Sequence, residues 1–252
     1  MVARVPIYKK TFHVDFRDVD FHKKLKLSSL FSYFQDTANL ASEELDLGIH
    51  FLLEKYGVTW VLMRIRTDII RHPVLNEEIT IETWPITPTK VEFGRDFLVR
   101  DKHGEVIVKG VSSWILMDIN SRRIRRTDSI KHDYVATDER AIVCELGKIR
   151  SFGHLETAYR KTIGYSDIDL NGHLTNSKYV DYIMDCFSME EHQKNDIRSL
   201  EVNYLNEALP GETLILKKDT SQQDKNIIYV EGVEETKQKT SFRAQFSFTP
   251  RE

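Results

Sequence analysis

The sequence predicts an α+β protein of two tandem units, each a helix wrapped by an antiparallel sheet. Three observations carry this. First, the chain repeats itself. Residues 16–36, FRDVDFHKKLKLSSLFSYFQD, align without a gap on residues 165–185, YSDIDLNGHLTNSKYVDYIMD. They share Asp18/Asp167, Asp20/Asp169, Leu25/Leu174, Ser28/Ser177, Tyr33/Tyr182 and Asp36/Asp185, six identities in 21 positions. Ordinary residue frequencies give about one or two. Second, each copy continues into apolar residues at helical spacing. Third, strand-like runs separated by turn residues follow each helix.

The elements follow in order. In the first copy, Leu30, Phe34, Ala38 and Ala41 define a buried helical stripe; in the second, Val180, Ile183, Met184 and Phe187 do so. Ser28 and Asn176 stand where N-caps are expected. The first helix is followed by GVTWVLMRIRTDII, EEITIETW, KVEFGRDFLVRD and EVIVKGVSSWILMD. The second is followed by SLEVNYL, ETLILKKD, NIIYVEGV and TSFRAQFSFT. DKHG and QQDKN read as hairpin turns. Each unit is therefore a hot-dog arrangement. The expected domains are residues 1–145 and 146–252, with residues 118–150 as the crossing linker.

Composition excludes several classes. The chain has 252 residues, 40% of them hydrophobic, with 13 Phe and 10 Tyr, enough for a substantial core. A net charge of -3 gives no nucleic-acid footprint. The cysteines, Cys144 and Cys186, form no CxxC. Neither a disulfide framework nor a zinc cage is expected, and no cofactor or metal is implied. No run reaches the ~20 apolar residues of a membrane helix, so no membrane insertion is expected. The start MVARVPIYKKTFHV has no apolar leader segment, and a cytoplasmic location is the expectation. Asp167-Ile168-Asp169-Leu170-Asn171-Gly172 imitates the opening of a calcium loop, but position twelve is Lys178 where a bidentate Glu is required.

Comparing the copies locates the chemistry. Asn171 corresponds to His22, and His173 to Lys24. Matching VLNEEI to LPGETL sets Glu207 opposite His72. The first copy lacks the Asn/His/Glu set, so the second is expected to carry the reaction. Singly, each residue has a plainer reading: Asp169 and Asn171 as turn formers, His173 as a helix-start histidine, Glu207 as a solvated carboxylate. Trp60, Met63 and Trp84 are candidates for lining a substrate pocket.

The sequence resembles the acyl-acyl-carrier-protein thioesterases of the plant plastid and their bacterial relatives. The D-x-N-x-H-x-x-N-x-x-Y pattern of that family stands here as Asp169, Asn171, His173, Asn176 and Tyr179. GVTWVLMRI, IETWP, GRDFLVRDKHGEVIVKGVSSWILMD and SRRIRR resemble its first-half segments. The resemblance implies a double hot-dog, hydrolysis of fatty acyl thioesters, and a catalytic network of Asp169, Asn171, His173 and Glu207. The plant enzymes commonly carry Cys after the catalytic Glu; here Ala208 stands there, so a thiol mechanism is not carried over. The expected division of labour has Glu207 activating water or attacking directly, and Asn171 donating to the substrate or orienting the water. His173 positions the water or Glu207, Asp169 fixes the imidazole, and backbone N–H groups around Gly172 receive the oxyanion. The implied partner is acyl carrier protein, which is acidic as a class. Arg122, Arg123, Arg125, Arg126 and the Arg160–Lys161 pair are candidates to meet it. A homodimer stays open. The rival readings are an acyl-CoA thioesterase on the same fold and a non-catalytic acyl-thioester sensor. A hot-dog dehydratase explains Asn171 poorly.

Overall fold

A computed structural model describes residues 7–130, 135–150 and 153–251. The chain divides into two compact units, one of Met1–Lys26 with Ser32–Leu146, the other of Leu27–Phe31 with Gly147–Glu252. In chain order the first half contains β1 (Tyr8–His13), α1 (Leu27–Glu44), α2 (Ile49–Tyr56), β2 (Val58–Ile69), β3 (Glu78–Ile86), β4 (Phe93–Arg100), β5 (Val106–Asp118) and β6 (Ile124–Arg125). The second contains β7 (Glu156–Thr162), α3 (Asn176–Met184), α4 (Met189–Lys194), β8 (Asn195–Tyr204), β9 (Thr213–Asp219), β10 (Ile227–Glu234) and β11 (Thr240–Pro250).

In the first unit the strands run β1-β3-β4-β5-β2, all antiparallel, with β6 on β5. The predicted stripe is buried: Leu30, Phe34, Ala38 and Ala41 each expose 5% or less. Phe34 stacks on Phe97 of β4 with centroids 4.5 Å apart. Gly110 of β5 makes room for this ring, because a Cβ there would sit 2.9 Å from Phe34 Cε2. The next helix, α2, stops at Gly57, whose φ of 64° suits glycine and whose N–H caps the carbonyls of Leu52 and Leu53. Trp60 donates its indole N–H to the Leu47 carbonyl at 2.9 Å and meets Phe93 edge-on. Trp84 donates to the Glu139 carbonyl at 3.0 Å. Both of these pocket candidates therefore serve as anchors. Met63 sits at an irregularity in the β2–β5 register.

The second unit repeats the plan, β8-β11-β10-β9-β7, again antiparallel. Val180 and Ile183 are fully buried, while Met184 and Phe187 are half-buried. The sequence reading missed β1 and β7. Both are short, charged strands paired on one side only, which is how exposed sheet edges are commonly protected. Such strands carry little hydrophobic signal.

Two further expectations change. The N-caps are Lys26 and Thr175, and neither side chain makes a capping bond. Ser28 and Asn176 lie within the first helical turns. The chain instead enters each helix through backbone bonds, Lys26 N–H to the Asp18 carbonyl and Thr175 N–H to the Asp167 carbonyl, both 2.9 Å. The linker stretch also begins later than expected, since Asp118 ends β5 and β6 still pairs with it. Farther on, the fully buried Asp96 carboxylate accepts from Ala141 N–H at 2.7 Å and Arg140 Nε at 3.0 Å. Burial pushes this carboxyl above its ordinary range against the pull of those two donors.

Candidate active site

The duplicated loops are built alike, bond for bond. Asp20 Oδ1 accepts from the N–H groups of His22 (2.8 Å) and Lys24 (2.9 Å). Asp169 Oδ1 accepts from those of Asn171 (2.8 Å) and His173 (3.2 Å). The Asp20 N–H bonds the Lys24 carbonyl, and the Asp169 N–H the His173 carbonyl. Each turn needs one left-handed residue, Lys23 at φ 60° in the first and Gly172 at φ 79° in the second. Glycine meets that requirement without the steric cost lysine bears. After the turn, Leu25 N–H bonds the Pro73 carbonyl at 2.8 Å and Leu174 N–H bonds the Ala208 carbonyl at 2.9 Å. This register makes Pro73 the counterpart of Ala208, and hence His72 the counterpart of Glu207, as the sequence alignment predicts.

These bonds bring His173 and Glu207 together. His173 Nε2 lies 3.4 Å from Glu207 Oε2, with the two side chains 27% and 38% exposed. Solvent therefore reaches the pair, as a hydrolytic site requires. Asn171 projects from the same turn and is exposed. Asp169 builds the turn through one of its carboxylate oxygens. Its Oδ1 is engaged by two backbone N–H groups rather than by the imidazole, so it shapes the turn that presents Asn171 and His173. The oxyanion expectation changes as well. The N–H groups of Asn171, Gly172, His173 and Leu174 are all committed within the protein.

The charge clusters are largely self-paired. Arg125 meets Asp118 at 3.2 Å and Arg126 meets Asp128 at 2.8 Å. Arg160 pairs with Glu235, and Lys161 lies over the Tyr182 ring at 5.6 Å. No helix among the described residues is long and apolar enough to cross a membrane.

The Acyl-ACP thioesterase N-terminal domain matches residues 6–137, and the Acyl-ACP thioesterase C-terminal domain matches residues 155–246. The chain belongs to the acyl-ACP thioesterase family. Within it, the chain is similar to a crystal structure of an acyl-ACP thioesterase from Bacteroides thetaiotaomicron, at 27% identity and a TM-score of 0.88. That alignment covers 96% of this chain and 98% of the other. The 12:0-ACP thioesterase from Umbellularia californica shares the fold, at 19% identity and a TM-score of 0.81, over 97% and 98% of the two chains. Among curated relatives, the chloroplastic oleoyl-acyl carrier protein thioesterase 2 of Arabidopsis thaliana is 23% identical over 217 residues. That match takes in 79% of this chain and 59% of the relative, so the chain spans about three-fifths of that protein's length. The fold is the tandem hot-dog.

Membership in this family raises the question of a thiol nucleophile, and Cys186 does not supply one. It is buried, donates its Sγ–H to the Tyr182 carbonyl at 3.3 Å, and burial pushes its thiol up to about 12. At pH 8 its thiolate fraction is on the order of 10⁻⁴. Cys144 is partly exposed. Mass spectrometry after iodoacetamide at pH 8 is expected to find Cys144 alkylated and Cys186 untouched until the protein is unfolded. Rapid native labelling of Cys186 would contradict the burial argument.

Proposed function

We propose that the chain hydrolyses fatty acyl thioesters borne on acyl carrier protein, releasing free fatty acid and the carrier's thiol. The observation that carries this reading is the Glu207–His173 pair at 3.4 Å, set beside a turn that presents Asn171, in a chain of this family. A thioester needs little acid assistance at departure, because the leaving thiol has a pKa near ~8.5. The demanding parts are a nucleophile and a partner for the developing oxyanion. Glu207 takes a proton from water as its oxygen bonds to the carbonyl carbon. His173 holds the carboxylate and the water in line, and the Asn171 amide donates to the carbonyl oxygen. The C–S bond then breaks, and the thiolate leaves as the competent anion. The comparison of the two copies supports this assignment, since His22, Lys24 and His72 occupy the corresponding positions in the first.

The test is a panel of acyl chain lengths on the carrier, with free thiol and released acid measured together. Matched acyl-CoA substrates run beside it. Equal amounts of acid and thiol, with a higher kcat/KM on the carrier, are expected. Binding without turnover would replace the hydrolase reading with that of a sensor, and equal or better use of acyl-CoA would remove the carrier preference.

Carrier docking has its own test. Arg122 and Arg123 are both exposed, so their charge can be reversed without disturbing the core. The double variant Arg122→Glu, Arg123→Glu is expected to raise KM for carrier-bound substrate about tenfold at low salt. A small water-soluble thioester should keep its KM. Equal effects on both substrates would reject docking at this segment.

A further inference from the structure

We propose that Glu212 is a positioning residue that holds the loop carrying Glu207 against the turn carrying His173. The proposal rests on the catalytic reading of Glu207 given above. Glu207 lies between β8, which ends at Tyr204, and β9, which starts at Thr213, so it is outside the strand ladders. The peptide unit linking Ala208 to Leu209 joins its loop to the turn. On one side the Ala208 carbonyl accepts from the N–H of Leu174, the residue after His173, at 2.9 Å. On the other the Leu209 N–H donates to Glu212 Oε2, also at 2.9 Å. Because the unit is planar, the two bonds together fix its orientation. An ionised acceptor makes the second bond stronger than a neutral one would be.

Glu212 is itself held firmly. Its carbonyl accepts from Ile163 N–H at 2.9 Å, and its N–H donates to the Leu209 carbonyl at 3.1 Å. Its Oε1 pairs with Lys237 Nζ from the turn between β10 and β11, and the Glu212 side chain is 15% exposed, so water competes little for it. The other end of the loop is anchored separately. Asn206 donates its side-chain amide to the Thr240 carbonyl at 2.8 Å and its backbone N–H to the Ser241 carbonyl at 3.1 Å. Glu207 thus stands between Asn206 and the Ala208–Leu209 unit, both tied down. Releasing the Leu209 N–H loosens the second tie and lets the carboxylate leave its 3.4 Å distance to His173.

The first copy supplies an internal control. There the Pro73 carbonyl accepts from Leu25 N–H at 2.8 Å, and Val74 N–H donates to Glu77 Oε2 at 2.9 Å, so the same joint exists. The cation differs. Arg71, directly before His72, holds Glu77 at 2.7 Å, whereas Asn206 stands at the matching position and Lys237 supplies the charge from another turn. Breaking the first joint disturbs a loop that carries His72 where the second carries Glu207. Glu77 and Glu212 therefore separate a service to the fold, common to both copies, from a service to the reaction, confined to one.

The experiment compares Glu212→Ala, Glu212→Gln, Glu77→Ala and Glu207→Gln in the full chain, on one acyl-carrier substrate. Glu212→Ala is expected to lower kcat about 10- to 100-fold with KM within about twofold. Glu212→Gln keeps an oxygen that can accept from Leu209 N–H, and should stay within about threefold of the parent. Glu77→Ala should lower Tm about as much as Glu212→Ala, by a few degrees, yet keep the parental kcat. Adding Glu212→Ala to Glu207→Gln should cost nothing further, because both changes act through one group. Full kcat in Glu212→Ala beside an inactive Glu207→Gln would overturn the proposal. So would an equal loss of kcat in Glu77→Ala, or multiplicative losses in the double variant. Full activity in Glu207→Gln would instead overturn the catalytic reading beneath it. Glu212→Asp provides the same test should the alanine variant not fold. It keeps the charge but shortens the reach by one carbon, so kcat should fall, and parental kcat there would equally overturn the proposal.

Discussion

Glu207→Gln is expected to lower kcat by about 10²–10⁴-fold while leaving the fold intact. The substitution preserves shape and removes the carboxylate beside His173 that is proposed to take the proton from water. Glu207 is 38% exposed on a segment outside the strands, so its charge contributes little to stability. A change within about 0.5 kcal/mol is expected. Steady-state rates on an acyl-carrier substrate, with circular dichroism on the same sample, settle the matter. A folded variant turning over at the parental rate would remove Glu207 from the mechanism, whether as general base or as nucleophile.

Phe242→Ala should have the largest effect on stability, about 3–5 kcal/mol. Phe242 is completely buried on β11 and lies directly against the backbone of Gly232 on β10. A Cβ added to that glycine would fall 2.2 Å from the ring. The ring is thus seated where no side chain competes, and its removal leaves a cavity that Gly232 has nothing to fill. The edge-on contact with Tyr179 at 5.3 Å is lost as well, worth about 0.5–1.5 kcal/mol and included in the same total. Denaturant melts should show a lower midpoint. Phe242→Leu, which refills part of the volume, should recover more than half of the loss. A cost below about 1 kcal/mol for the alanine variant would mean that the site collapses around the gap.

The duplication was legible because it preserves letters at the same spacing. The helical stripes were legible because Leu30, Phe34, Ala38 and Ala41 repeat with the helical period. Glu207 was found by aligning VLNEEI with LPGETL, and the paired carbonyl bonds from Pro73 and Ala208 explain why that alignment works. The edge strands β1 and β7 were not legible, since a charged strand paired on one side has no apolar face to announce it. The turn-building bonds of Asp169 were hidden for a related reason. Asp, Asn and His in close succession invite a chain of side-chain contacts, but Asp169 Oδ1 turns inward to backbone N–H groups. That outcome depends on the left-handed residue at Gly172, which letters alone leave open. The same inward bonding consumes the N–H groups first assigned to the oxyanion.

The loop from Asp20 to Leu25 keeps its shape with lysine in the strained position and without any of the reactive side chains. Its geometry therefore does not depend on the side chains that its twin carries. The backbone scaffold of such a turn and the functional groups mounted on it can thus be exchanged separately.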